Sequence, residues 1–375
     1  MTAGGALTVD GRLVIDSRVE PGRIVIEDGR IAAIEKDEAF AEGPLVAPGF
    51  IDVHVHGWGG HDAMGGRAAL DGMARGLLRQ GVTTFLPTAV TAPLDDIAAF
   101  AETVRAWLPT APTDGAAAAG FNLEGPFLSV ERKGAHNARW LVAPADVDDP
   151  TVFERLVDGL RVITIAPELP GSLELIRRLA ARGVVVSLGH SAATYLQASA
   201  GYAAGARSTT HLFNAMTGVE HRSPGLAVAS LTTDAAYTEL IADGNHVDPA
   251  VWPIVTRAKP SDRLLLVSDA LPLAGTGDGR ITIGGLEIEV RDGLATLAGS
   301  STLAGSVIAL DTAVRNVVRN GTSLPAAVMA ASSNPAALLG LADRGRIAVG
   351  LRADLVELEA DLTTRRVMRE GRWVS

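Results

Sequence analysis

Between residues 120 and 269, short apolar runs recur, and each stops on a polar residue. They are GFNLE to Glu124, VITIAPE to Glu168, VVVSLGH to His190, ARSTTH to His211, ELIAD to Asp243 and RLLLVSD to Asp269. From Glu168 onward the ends lie 22, 21, 32 and 26 residues apart, with Ala-rich stretches between them. That spacing is the repeat of a strand followed by a helix. Ser172 and Ser191 stand where helix N-caps are expected, and Gly183 where a helix should stop. Two earlier runs, PGFIDVHVH and GVTTFLPT, bring the strands to eight. Near-continuous apolar strands suit a parallel sheet covered on both faces. Eight such units over residues 47–344 predict an α/β chain built as a (β/α)8 TIM-type barrel, with an open doubly wound sheet as the alternative. In a barrel the chemistry sits at the C-terminal ends of the strands.

The two ends of the chain have a different texture. Residues 1–46 contain LTVDGRLVID and GRIVIEDGRIAAIE, with Asp10-Gly11 and Asp28-Gly29 as hairpin signals. Residues 345–375 read in the same way, and the two ends are expected to pair into one small β domain. A third β-like piece, RITIGGLEIEVRDGLATLAG, could join it, so 278–299 is expected near that domain.

Composition removes several classes of function. There is no cysteine among 375 residues, which excludes disulfides, thiolate metal sites, iron–sulfur clusters and cysteine nucleophiles. The net charge is −10 and Lys and Arg form no cluster, which argues against a nucleic-acid partner. The N-terminus has no basic region leading an apolar core, and no run approaches ~18–20 apolar residues. No signal peptide or membrane partner is read, and a cytoplasmic location is expected.

The polar residues that end the strands are unusual in kind. Of eight histidines, His54, His56, His190 and His211 fall at expected strand ends, together with Glu124 and Asp269. Each has a plain reading alone: a core histidine at 190, a helix entry at 211, a helix cap at Asp269, a strand stop at Glu124. Together, six ligand-type residues at the mouth end of five strands point to a divalent metal held by imidazole and carboxylate. His54 and His56, two apart in a strand, point the same way and can share an ion. The lysines, Lys36, Lys133 and Lys259, end no barrel strand, so Glu124 is the best candidate for a bridging group.

Metal-assisted hydrolysis follows, with Asp269 taking a proton from water and returning it to a leaving group. The loop KGAHN carries His136, placed to polarise a carbonyl oxygen unless it is only an exposed loop histidine. NAM at 214–216, Arg222 in EHRSPG and His246 in DGNH follow later strands. Arg222 is a candidate for an anionic group, or a solvated surface arginine. LAGS at 303–306 offers backbone N–H groups, or simply opens a helix. No nucleotide-binding glycine motif is present.

PGFIDVHVHG, NLEGPFLS, KGAHN, SLGHSAATY, THLFNAM, HRSPG, DGNHV, VSDALPLAG and STLAGS occur in this order. Together they resemble the N-acetylglucosamine-6-phosphate deacetylases of the amidohydrolase superfamily, over essentially the whole chain. The resemblance implies a distorted (β/α)8 barrel with a small β-sandwich domain from both termini, and a homodimer. It implies release of acetate from N-acetyl-D-glucosamine 6-phosphate. Carried over by motif, Glu124, His190 and His211 hold the principal metal, and His54 and His56, with Glu124 bridging and Asp269 near, hold a second. Zinc comes first, with iron, manganese, cobalt or cadmium as alternatives, one or two per subunit. Asp269 is then general base and acid, and His136 polarises the acetamide. Asn214, Ala215, Arg222 and His246 contact the substrate, the last two near a phosphate at the dimer interface, with Ala135, Leu303, Ala304 and Gly305 completing the pocket. The other readings are a deacetylase of N-acetylgalactosamine 6-phosphate, a cyclic-amide hydrolase, or a non-enzymatic barrel of the same shape. Lys133 and His61 carry no assigned role.

Overall fold

The structure is a computed structural model that describes residues 7–149 and 151–374. The first six residues and Ser375, part of the expected terminal domain, lie outside the described residues. The chain opens with β1 (Leu7–Ile15), β2 (Arg18–Glu27), β3 (Arg30–Lys36) and β4 (Leu45–Pro48). Eight strand–helix units follow. The first four pair β5 (Phe50–Val55) with α1 (Arg67–Leu78), β6 (Val82–Ala89) with α2 (Leu94–Trp107), β7 (Phe121–Glu124) with α3 (Val152–Val157), and β8 (Leu160–Ile165) with α4 (Ser172–Ala181). The second four pair β9 (Val185–Leu188) with α5 (Tyr195–Ala203), β10 (Ser208–Thr209) with α6 (Leu226–Thr232), β11 (Tyr237–Ile241) with α7 (Trp252–Ala258), and β12 (Leu264–Val267) with α8 (Leu310–Arg319).

Strands β5 to β12 lie side by side in chain order, all parallel. The last meets the first through Asp269 N–H to the His54 carbonyl and His56 N–H to the Ala270 carbonyl, both 2.9 Å. The cylinder is thereby nearly closed, as the strand–helix period predicts, and the open sheet is set aside. The strands are buried almost throughout, as in Phe50–Val55 and Val82–Ala89, with Arg161 in β8 the one partly exposed position. Phe50, Phe85, Phe121 and Leu188 pack against Leu70, Phe100, Ile176 and Val255 from the helices. A second cluster joins strand residues Ile51, Val53, Val162 and Leu265 to Leu338 and Leu339 of α10 (Ser333–Leu339), which follows α9 (Leu324–Ala331).

The chain ends in β16 (Leu355–Leu358), β17 (Thr364–Arg369) and β18 (Arg372–Trp373), numbered after three inserted strands described next. These join the opening strands in one seven-stranded sheet of order β18-β17-β16-β4-β1-β2-β3. Its apolar face gathers Val9, Leu13, Ile24, Val46, Leu355 and Met368.

Three expectations need correction. Residues 279–297 do not join the terminal sheet. They form a separate antiparallel sheet, β13 (Gly279–Ile283), β14 (Leu286–Arg291) and β15 (Leu294–Leu297), inserted between β12 and α8. Its apolar face packs on Leu271 and Ala304, with Val90 and Ala135 against it, beside the mouth of the barrel. Asp10-Gly11 is no turn but the middle of β1, where a Cβ at Gly11 would lie 2.3 Å from the Pro44 carbonyl. The glycine serves close strand approach. Asp28-Gly29 does turn the chain, both residues having positive φ. The helix caps also differ: Gly171 precedes α4, and Thr194 caps α5 through a capping box with Gln197. Ser191 instead bonds Glu168, its Oγ donating at 2.7 Å.

Candidate metal centre

The strand ends bring two sets of ligand atoms together. Nε2 of His190 and Nε2 of His211 lie 3.1 Å apart, and 3.1 and 2.9 Å from Glu124 Oε1. Nε2 of His54 and Nε2 of His56 lie 3.2 Å apart, and 3.5 and 3.1 Å from Asp269 Oδ1. Glu124 Oε2 reaches His56 at 3.3 Å, so this carboxylate stands between the sets. All six residues are buried. Three of them, His190, His211 and Asp269, adopt positive φ (44°, 27° and 50°). Such backbone costs roughly 1–3 kcal/mol per residue and gathers at functional sites.

Hydrogen bonds on the far side of the rings fix which nitrogen faces the centre. His190 Nδ1 lies 2.9 Å from the Arg132 carbonyl, His56 Nδ1 3.1 Å from the Thr88 carbonyl, and His54 Nδ1 3.1 Å from the Glu239 carboxylate. Those oxygens only accept, so each Nδ1 carries the hydrogen, and a ring that is neutral turns the lone pair of its Nε2 inward. Lone pairs of several imidazoles then face carboxylate oxygens with no donor between them. A cation resolves that conflict. The separations of 2.9–3.5 Å also match the edges of a tetrahedron of bonds near ~2.0–2.1 Å, roughly 3.3 Å. The donor set therefore fits a divalent ion.

The electrostatics agree. Burial raises the Glu124 carboxyl, but the imidazoles of His54 and His136 outweigh it and hold it well below the usual carboxylate range. Burial likewise opposes ionisation of Asp269, yet His54 and His56 bring it down to about 2. Burial pushes His56 down, and Asp269 and Glu124 carry it up to about 9. His190 goes the other way, to about 4, through burial and neighbouring His136. Its Nδ1–H bond to a carbonyl is consistent with a neutral ring. Both carboxylates are thus anionic at neutral pH, and protons on imidazole balance charge that a cation would take up.

His136 belongs to the same centre. Its Nδ1 accepts from Thr91 N–H at 3.4 Å, which places the hydrogen on Nε2, 3.2 Å from Glu124 Oε2. A cavity of about 390 Å³ opens over these atoms, a size that suits a small ligand. Ala135, His136, Asn214, Ala215, His246, Leu303, Ala304 and Gly305 all line it, as do His56, Glu124, His190, His211 and Asp269. His54 lies behind, fully buried. His246 is held by Asp243, Nδ1 to Oδ2 at 2.7 Å. Arg222 is not brought in: it is exposed, outside the lining. Lys133 is half-buried beside the Gly134 carbonyl, and His61 packs against Gly72.

Sequence reasoning missed four contributors. Glu239 and Asp52 are buried carboxylates that hold His54, the first at Nδ1 and the second at its backbone N–H. Both lie within strands rather than at their ends, and Asp52 shares the i, i+2 alternation with His54, the one available signal. Arg132 and Asn137 line the cavity from the loop that carries His136. Glu168 and Asp243, also at strand ends, hold Ser191 and His246 and take no part in either ligand set.

Comparison with known proteins identifies the family. The amidohydrolase family model matches residues 45–374. The N-acetylglucosamine-6-phosphate deacetylase of Bos taurus is 41% identical over 99% of this chain and 93% of its own length. The N-acetylgalactosamine-6-phosphate deacetylase of Escherichia coli O157:H7 is 39% identical over 93% of this chain and 94% of its own. A variant of the Mycobacterium smegmatis N-acetyl-D-glucosamine-6-phosphate deacetylase, solved with N-acetyl-D-glucosamine-6-phosphate, superposes with a TM-score of 0.91 at 35% identity, covering 99% of this chain and 100% of that one. The chain belongs to the amidohydrolase family, within the branch of the N-acetylglucosamine-6-phosphate deacetylases.

Proposed function

We propose that the protein hydrolyses the acetamide of N-acetyl-D-glucosamine 6-phosphate, giving D-glucosamine 6-phosphate and acetate. One observation carries the reading: two buried ligand sets meet at Glu124 beneath a cavity of about 390 Å³. Glu124, His190 and His211 would hold one divalent ion, and His54, His56 and Asp269 a second. Zinc is proposed first, and iron, manganese, cobalt and cadmium suit the same N/O donors. Such an ion supplies Lewis acidity and brings the pKa of water towards ~7. Asp269 takes the proton from the attacking water and passes it to the departing amine nitrogen. The Nε2–H of His136 donates to the acetamide oxygen as negative charge grows there. Asn214, Ala215 and His246 receive the sugar phosphate, and Ala135 with Leu303, Ala304 and Gly305 close the pocket.

Because Arg222 is exposed and outside this cavity, we assign it to the phosphate of a second copy's site in a homodimer. A cytoplasmic location is part of the same proposal; among the described residues no helix is long and apolar enough to cross a membrane. The galactosamine epimer is the second reading, favoured by the 39% identical relative that acts on it. Initial rates on both phosphorylated sugars and on unphosphorylated N-acetylglucosamine separate these. The proposal expects the highest kcat/KM for the glucosamine epimer, and a raised KM for phosphorylated sugar alone in Arg222→Ala. Preference for the galactosamine epimer, or equal turnover without phosphate, overturns it.

A further inference from the structure

Glu239, in β11, is 1% exposed, and one of its oxygens serves two ends of the centre. Oε2 accepts from His54 Nδ1–H at 3.1 Å and from the backbone N–H of His211 at 3.2 Å. The backbone carbonyl of the same residue accepts from Leu212 N–H at 2.9 Å. Two consecutive N–H groups of the turn after β10 therefore end on Glu239. That turn carries the strained φ of 27° at His211, and such backbone persists only where its surroundings hold it. Among the described residues the one ion-pair partner of Glu239 is His54. A carboxylate buried without lysine or arginine is costly, and its retention asks for a reason.

We propose that Glu239 is a positioning residue that ties the two ligand sets together. It holds His54 in the tautomer whose Nε2 faces His56 and Asp269, and it holds the His211 turn that belongs to the other set. His54 is the ligand most dependent on it, because among the described residues no other group meets its Nδ1. Glu239 is not among the residues that line the cavity and acts through these two histidines. Carboxylate partners of ligating histidines typically change metal affinity by about 10- to 100-fold. This inference rests on the metal-centre reading above.

The test uses the full chain, stripped of metal and titrated calorimetrically with zinc, with equivalents counted by elemental analysis. Glu239→Gln keeps the shape and removes the charge; Glu239→Met also removes the acceptor. The expected result for Glu239→Gln is the loss of about 10- to 100-fold in affinity at the His54, His56 and Asp269 set, with less change at the other set. Glu239→Met should take up one equivalent fewer than wild type. On a His54→Ala background, Glu239→Gln should change affinity little further, an outcome that a general packing role would not give. Circular dichroism checks folding, and if Glu239→Met does not fold, Glu239→Gln decides. Wild-type affinity and stoichiometry in Glu239→Gln overturn the inference and leave the metal centre standing. A wild type that takes up at most one equivalent also overturns it, and one that takes up none defeats the metal-centre reading itself.

Discussion

At the scale of single residues, the proposed function gives Asp269 two duties in one carboxylate. It faces His54 and His56, and its position at the mouth puts it in reach of attacking water. Replacing it with asparagine keeps the shape and removes the basicity. Asp269→Asn is expected to lower kcat by about 10²–10⁴-fold, the usual range for a positioned general base. Steady-state kinetics with parallel metal analysis checks this, and a loss under about tenfold at full metal content contradicts the role. The six candidate ligands were legible because strand ends converge in a barrel, which turns a linear pattern into a cluster. Glu239 and Asp52 were not, because inside a strand the direction of a side chain depends on barrel curvature that spacing does not encode. Arg222 reads as an anion binder in sequence, yet in a single chain it points to solvent.

At the scale of elements, the inserted sheet changes from a presumed part of the terminal domain to a wall of the cavity. Its β-branched alternation was legible, but what its apolar face packs against was not. The tip of its first hairpin, Gly284-Gly285, has positive φ at both residues and meets the loop that carries His136. A Cβ at Gly285 would lie 2.7 Å from the Trp140 ring and 3.3 Å from Asn137 Nδ2. Gly285→Val should therefore push that loop and shift His136. The expected loss is about 10- to 100-fold in kcat with metal content unchanged, since small misplacements of catalytic groups carry such penalties. Unchanged kcat would show that the hairpin tip does not set the position of His136. The misplaced caps have a local cause: Ser191 satisfies Glu168 instead of a helix N-terminus, three residues before Thr194 does so.

At the scale of the whole molecule, the ligand sets draw on β5, β7, β9, β10 and β12, so one centre fastens strands from all round the cylinder. Ions that bind only the folded chain stabilise it by about 2.7 kcal/mol at 100 times Kd. Calorimetric melting is expected at lower temperature after chelation and to recover on adding zinc back; an unchanged Tm would mean that the ligands hold no ion tightly. Lys259 gives an independent test of the fold. Burial lowers its ammonium to about 8, although the Ser230 and Thr233 carbonyls accept from it at 2.9 and 2.8 Å. An unfolded lysine titrates near ~10.4, so between about pH 8 and 10.4 the unfolded chain binds a proton that the folded chain does not. Stability from this residue therefore rises with pH across that window. The stability of wild type relative to Lys259→Met, from urea unfolding, should increase from pH 8 to pH 10, and a constant difference would contradict it. The barrel was legible from period alone, whereas the path of the terminal sheet was less so, because β1 and β4 pair in parallel across a long connection. The central claim is metal-dependent deacetylation, and acetate release from N-acetyl-D-glucosamine 6-phosphate tests it most directly. Metal-stripped protein should release almost none and recover turnover when zinc or manganese is restored; no release with any divalent metal would contradict the claim.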